Sequence, residues 1–172
     1  SDETFYRFIS SLADQEVIGS FVPPKELDAE KYGKEIIQRF LNPEIRHLLS
    51  QIAWDGSQKL QMRILPIIRD NLALNRSIKL LSFSLACWFE FICRAVKNNE
   101  EIIDPLAHQF AIMPALFKDD VAAIVSAFLN IESIFGTDLK TNHKLKSHLI
   151  ESLTALKTSA LNDINNVVEH LC

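Results

Sequence analysis

Apolar residues recur along most of this chain at intervals of three and four positions, which is the spacing of an amphipathic α-helix. The alternation typical of β-strands, bounded by Gly and Asn turns, is convincing nowhere. The pattern predicts helices at about 2–18, 28–40, 44–54, 57–73, 78–96, 104–111, 118–128, 131–135, 142–157 and 160–171. We therefore expect an all-α single domain of about eight to ten helices around a central apolar helix.

The segment 78–96 is apolar nearly all round, which marks either the central buried helix of a domain or a membrane span. Charged residues interrupt it, and we favour the buried helix. Glu90 and Arg94 are spaced to pair on one face. Pro66 is expected to kink or split its helix, and Gly136 to end the helix that precedes it.

The composition is that of a globular protein, since 48% of the 172 residues are hydrophobic and 23% are charged. The formal net charge is -4 and no block of Lys or Arg occurs, which argues against nucleic-acid binding. Cys87, Cys93 and Cys172 are odd in number and form no CxxC motif. We expect reduced thiols, buried in the apolar segment, and a cytoplasmic location.

The motifs that commonly mark an enzyme are missing from the sequence. Neither GxGxxG nor GxxxxGK[ST] occurs, so neither usual glycine-rich phosphate cradle is present. The five histidines form no HExxH pair, and we predict no metal site. The chain begins at Ser1 without a basic and apolar leader, so we expect it to be a piece of a longer protein.

One constellation remains, the DGSQK sequence at 55–59 followed by Arg63. An Asp-Gly turn leads directly into a helix start, and Lys59 and Arg63 are four positions apart, so both cations share one helical face. A helix N-terminus beside two cations suits a polyol, a keto-sugar or a carboxylate. On spacing alone, the same residues also fit a capped helix with surface charges.

The order of the motifs around this constellation resembles that of the C-terminal domain in the mannitol dehydrogenase family. The motifs are NPEIRH at 42–47, QIAWDGSQKL at 51–60, RILP at 63–66, IIRDNL at 67–72, Trp88, and FLNIESIFG at 128–136. The resemblance extends from about Phe5 to Val167. The family includes mannitol 2-dehydrogenases and hexuronate reductases such as fructuronate (D-mannonate) oxidoreductase.

The resemblance implies that 1–172 is a helical, substrate-side domain of the 6-phosphogluconate-dehydrogenase-like type. An N-terminal Rossmann domain, absent from this chain, would bind NAD. The implied enzyme is an NAD-dependent oxidoreductase that interconverts a polyol or aldonate and its keto-sugar. The favoured pair is D-mannonate and D-fructuronate, with mannitol and fructose as the other pair.

The resemblance also implies residue roles. Lys59 and Arg63 would reach substrate hydroxyls or a carboxylate. Ser57 and Asp55 would complete the substrate-binding set, and together with Gly56 they would shape the turn at the substrate side. The family's catalytic KxxxxNxxH signature, whose lysine is the general acid/base, does not occur here and would lie upstream. We therefore assign no catalytic, cofactor-binding or metal-binding residue within the chain, and expect the fragment alone to be inactive.

Two departures from the family pattern leave the substrate open. Trp54 stands where a smaller apolar residue is common, and Gln61 stands where proline is common.

A different class of function also remains open, a non-catalytic all-helical binding or scaffold module, because no site is complete. The expected partners are the Rossmann domain and a sugar-like substrate, with neither nucleic acid nor membrane.

Overall fold

A computed structural model describes residues 2–40, 53–158 and 167–168 of the chain. Within these residues there are eight α-helices and no β-strand, which confirms the all-α class. The α-helices are α1 (Asp2–Leu12), α2 (Ala29–Phe40), α3 (Gly56–Ala73), α4 (Lys79–Lys97), α5 (Ala107–Ala111), α6 (Val121–Leu129), α7 (Glu132–Lys140) and α8 (His143–Thr158). A π-helical turn (Ala13–Val17) and a 3₁₀ turn (Ile18–Ser20) extend α1, and a second 3₁₀ turn (Pro114–Phe117) precedes α6.

The central helix is α4, and ten of its residues are buried. It packs along α8, and the rings of Phe89 and Phe128 stack in the core with centroids 4.1 Å apart. Phe135 meets Phe89 edge-on. The predicted ion pair of α4 is confirmed, because Arg94 Nε lies 2.7 Å from Glu90 Oε1. The apolar segment is therefore the core of the described fold, as its composition predicts.

A buried carboxylate holds the beginning of α4. Glu16 lies in the π-helical turn after α1 and is fully buried. Its side chain accepts hydrogen bonds from the N–H groups of Leu80 and Leu81, at 3.1 and 2.8 Å, and from the Ser77 hydroxyl. A negative charge at this end complements the positive pole of the helix dipole. Glu16 thereby fixes the N-terminal helical segment onto the core.

Several helices start or end at positions other than the predicted ones. A capping side chain or a residue with left-handed backbone angles decides these boundaries. Asp120 accepts the N–H of Ala123 at 3.0 Å and starts α6 at Val121, three positions later than predicted. Gly136, with φ 66° and ψ 178°, breaks the helix as predicted, but α7 resumes beyond it. Pro66 lies inside α3 without splitting it.

One cysteine differs from expectation. Cys93 is buried, and burial raises the pKa of its thiol to about 11. Cys87 is exposed on α4, contrary to the prediction that both thiols of the apolar segment are buried. Two predicted helices lie mostly outside the described residues, those at about 44–54 and about 160–171. Cys172 also lies outside them.

A membrane span requires a single helix of sufficient length and hydropathy. Among the described helices, no single one is both long and apolar enough to cross a bilayer. The helices α6 and α7 reach that length and composition only as a pair, across a bend of 106°.

Candidate functional site

The start of α3 is built on a left-handed residue. Asp55 has φ 53° and ψ 33°, a conformation that Asp tolerates better than most residues. Its N–H donates to the carbonyl of Ile103 at 2.9 Å, and its own carbonyl accepts the N–H groups of Gln58 and Lys59. The turn is therefore tied to the segment after α4 on one side and to the first turn of α3 on the other.

Gly56 is required because Trp88 from α4 lies directly against it. A Cβ at position 56 would lie 3.1 Å from Trp88 Cδ1 and closer still to Nε1, which is tighter than real contacts allow. The indole Nε1 is buried and finds no hydrogen-bond partner in the described part of the chain. Trp88 thus sets how closely α3 approaches α4 at the site.

Ser57 is held by Asp104, which lies 47 positions later in the sequence. The Asp104 carboxylate accepts the backbone N–H of Ser57 at 2.8 Å and its hydroxyl at 2.7 Å. The same carboxylate accepts the N–H of Leu106 at 2.9 Å. Asp104 is therefore the cap of α3, and α5 begins only at Ala107, later than the predicted start near 104.

The two predicted cations lie on the first two turns of α3. Lys59 is half-buried and Arg63 is exposed. Four residues along a helix correspond to a rise of about 6 Å, which suits a ligand that carries several oxygens. Met62 is 71% exposed, so the described core leaves α3 open around Met62 and Arg63. The positive pole of the helix adds to the attraction for negative charge.

The structure brings the four predicted residues to one helix start, but they differ in their exposure to solvent. Lys59, Arg63 and Asp55 lie at the accessible side, whereas Ser57 is 2% exposed and donates its hydroxyl to Asp104. Gln61 donates its side-chain amide to the Ser57 carbonyl at 3.1 Å.

Sequence reasoning missed two residues that shape the site, Trp88 as the contact of Gly56 and Asp104 as the cap. The motif comparison singled out Trp88, but no local pattern indicates its contact. No local pattern indicates the pairing of Asp104 with Ser57 either.

A second cluster of charges lies farther along α4. Glu90 contacts Arg94 and also Lys157 of α8, whose Nζ is 2.9 Å from Glu90 Oε2. Burial raises the pKa of Glu90, but hydrogen bonds and the charges of these two cations outweigh it and hold the pKa below its ordinary value of 4.5. These contacts join α4 to α8 and assemble no reactive group.

The described residues contain no group of three His, Cys, Asp or Glu side chains placed to hold a metal ion. The sequence contains neither of the two glycine-rich phosphate-binding motifs. Two cations at a helix start form an arrangement suited to a polar, oxygen-rich molecule.

These observations define an all-α domain in which a DGSQK helix start carries two cations. The chain belongs to the mannitol dehydrogenase C-terminal domain family, whose model matches residues 1–157. The resemblance stated from the motifs is thus confirmed.

Among its relatives is the uncharacterized oxidoreductase YdfI of Escherichia coli (strain K12), which is 34% identical over 137 residues. The D-mannonate oxidoreductase of the same organism is 33% identical over 134 residues. These alignments cover 76% and 77% of this chain but only 27% of each relative.

The fold is similar to that of Pseudomonas fluorescens mannitol 2-dehydrogenase, solved as a ternary complex with NAD and D-mannitol. The TM-score is 0.84 at 24% identity, over 99% of this chain and 34% of that one. The chain therefore spans about a quarter to a third of the length of these dehydrogenases.

Proposed function

We propose that this chain is the substrate-binding, C-terminal part of an NAD-dependent oxidoreductase that interconverts a polyol or aldonate and its keto-sugar. The observation that carries the proposal is the helix start of α3, where Lys59 and Arg63 lie one turn apart in a family of oxidoreductase domains. Relatives named for mannitol and D-mannonate oxidation support this substrate class.

In the proposed site, Lys59 and Arg63 bind the substrate and do not transfer its proton. Lys59 donates to a hydroxyl or carboxylate oxygen, and Arg63 offers a planar pair of donors that matches a carboxylate. Asp55 turns the chain, and Ser57 fixes that turn through Asp104. Lys59 has Ile64 five positions on instead of the asparagine of the family signature, so the general acid/base belongs to another segment.

NAD would accept or deliver the hydride, and we assign its binding mainly to a separate N-terminal Rossmann domain. The chain has neither glycine-rich motif, and its described part contains helices and no β-strand, which does not fit a dinucleotide cradle. This chain alone is accordingly proposed to be inactive. We further propose that the enzyme works in the cytoplasm, without nucleic acid or membrane as partners.

The favoured substrate pair is D-mannonate and D-fructuronate. Both carry a carboxylate, and a site with a lysine and an arginine on one helical face matches that charge better than it matches an uncharged polyol. Mannitol and fructose are the second choice. The identity to a D-mannonate oxidoreductase, at 33%, supports this order.

The test is a nicotinamide-linked oxidation screen of the full-length parent protein. Mannonate, altronate, mannitol, arabinitol and mannitol phosphate would each be offered with NAD and with NADP. We expect turnover with NAD and an aldonate. No turnover with any of these substrates would instead favour a non-catalytic helical module.

A further inference from the structure

An apolar groove lies beside the start of α3, with a volume of about 140 Å³. We call it the Trp54–Phe91 groove. Its apolar lining comprises Ala53, Trp54, Phe91, Ile92, Ala95, Ile102 and Ile103. Trp54, Phe91 and Ile103 are exposed by 39%, 40% and 39%. Single exposed apolar residues are ordinary, but three large ones in one groove indicate a surface that a further polypeptide segment covers.

The groove is continuous with the proposed substrate site. Trp54 directly precedes Asp55, and the carbonyl of Ile103 accepts the Asp55 N–H at 2.9 Å. Asp104, which also lines the groove, caps α3 through Ser57. Whatever occupies the groove therefore lies beside the helix start that carries Lys59 and Arg63.

The charge of the groove restricts its occupant. Glu100 and Glu101 are exposed and line it, and no Lys or Arg is among the described lining residues. Glu100 accepts a hydrogen bond from the neutral Asn98 amide at 2.9 Å, which leaves its charge unbalanced. The third carboxylate, Asp104, is engaged by Ser57 and Leu106. The matching partner is a segment that inserts apolar side chains and places a basic residue near the two glutamates.

We propose that the Trp54–Phe91 groove is the docking surface for the part of the parent enzyme that precedes this domain. The occupant is an apolar segment with at least one Lys or Arg, and its docking brings the missing half of the active site beside Lys59. This inference rests on the proposed function. About two-thirds or more of each matched dehydrogenase lies outside the aligned region, and the family is a C-terminal domain, so a preceding segment is available to cover the groove.

The experiment is hydroxyl-radical footprinting of the native full-length parent, read residue by residue by mass spectrometry. It needs no substitution, so folding of a variant is not in question. Phe128 is fully buried and Phe117 is 57% exposed, and these two residues provide matched standards of the same type. Each rate is divided by the rate of the same residue in the urea-unfolded parent.

We expect Phe91 and Trp54 to react at least about tenfold more slowly than Phe117, at a rate near that of Phe128, because interface cores pack as tightly as interiors. Rates for Phe91 and Trp54 close to that of Phe117 would overturn the proposal. Protection that disappears when the parent is diluted would also overturn it, since the occupant would then be a second copy.

The same sample is assayed for turnover of all five substrates of the oxidation screen, each with NAD and with NADP. Turnover together with a reactive groove rejects the docking surface and leaves the proposed function in place. A protected groove without turnover rejects the proposed function and leaves the docking surface.

Discussion

The carboxylate of Asp104 accepts hydrogen bonds from both the backbone N–H and the hydroxyl of Ser57, at 2.8 and 2.7 Å. Ser57 is the second residue of α3, and Asp104 follows α4. The pair therefore joins the helix that carries Lys59 and Arg63 to the segment that follows the central helix.

Replacing Asp104 by alanine is expected to destabilise the domain. The change leaves the buried hydroxyl and N–H of Ser57 without an acceptor, and an unsatisfied buried group costs on the order of 1–3 kcal/mol. The measurement is the free energy of unfolding in urea. Asp119→Ala is the control, because Asp119 is exposed and its pair with Lys97 lies at the surface. Equal effects of the two substitutions would contradict the capping role.

Replacing Lys59 by alanine in the full-length parent is expected to lower kcat/KM by about tenfold or more, since one charge-assisted hydrogen bond contributes about 1.5–3 kcal/mol. The rate is measured with the best substrate of the oxidation screen. Lys118→Ala is the matched control, because Lys118 is exposed and distant in sequence from the site. An unchanged kcat/KM for Lys59→Ala would remove this residue from the site.

Replacing Glu16 by glutamine tests the buried cap of α4. Glutamine keeps one acceptor oxygen but turns an NH₂ group toward an N–H donor, where Glu16 accepts from both Leu80 and Leu81. We expect a loss of about 1–3 kcal/mol in the free energy of unfolding. Glu35→Gln, on the exposed face of α2, should stay within about 0.5 kcal/mol of the parent. A loss no larger for Glu16 than for Glu35 would refute the cap.

Acid should weaken the contact between α4 and α8 through Glu90. Its pKa in the fold lies below the ordinary 4.5, because Arg94 and Lys157 outweigh the effect of burial. A carboxyl with a lowered pKa stabilises the fold fully above its unfolded pKa, and that contribution is lost as the pH falls through the folded pKa. The urea midpoint should therefore fall more steeply below pH 4.5 in the unsubstituted chain than in Glu90→Gln. Parallel curves would contradict this.

Replacing Gly56 by alanine should destabilise the start of α3 by about 1–3 kcal/mol, because the added methyl meets the Trp88 indole. The double substitution Gly56→Ala with Trp88→Phe should recover part of that loss, since phenylalanine lacks the pyrrole ring. The coupling is read from a double-mutant cycle of unfolding free energies. Additive losses would show that Trp88 is not what excludes a side chain at position 56.

The local sequence pattern predicted some features of the fold correctly and others wrongly. The nearly continuous apolar run at 78–96 indicated the central helix α4. The separation of four positions indicated the pair of Glu90 with Arg94, because it depends only on the helical period. The predicted start of α5, near Asp104, is too early, since the helix begins at Ala107. In sequence, an acidic residue that begins its own helix looks the same as one that caps a distant helix, which is the role of Asp104. Likewise, Cys87 falls in an apolar run but faces outward.

Some features of the candidate site could likewise be predicted from the sequence, and others could not. That Lys59 and Arg63 share a face follows from their separation of four positions, and the DGSQK motif indicated the helix start beside them. Ser57 was predicted as part of a substrate-side turn, and only its bonds to Asp104 show that it is engaged within the fold. The substrate roles of Lys59, Arg63, Ser57 and Asp55 remain predictions.

The sequence by itself determined the all-α class, the central helix and the membership of the family, because each rests on periodicity or on motifs that short stretches of chain carry. Only the tertiary structure decided that Trp88 sets the approach of α3, that Glu16 caps α4, and that Asp104 holds Ser57. The physical reason is that these contacts join residues separated by about 32 to 65 positions. Side chains that distant are brought together by packing of the whole core, which no local pattern encodes.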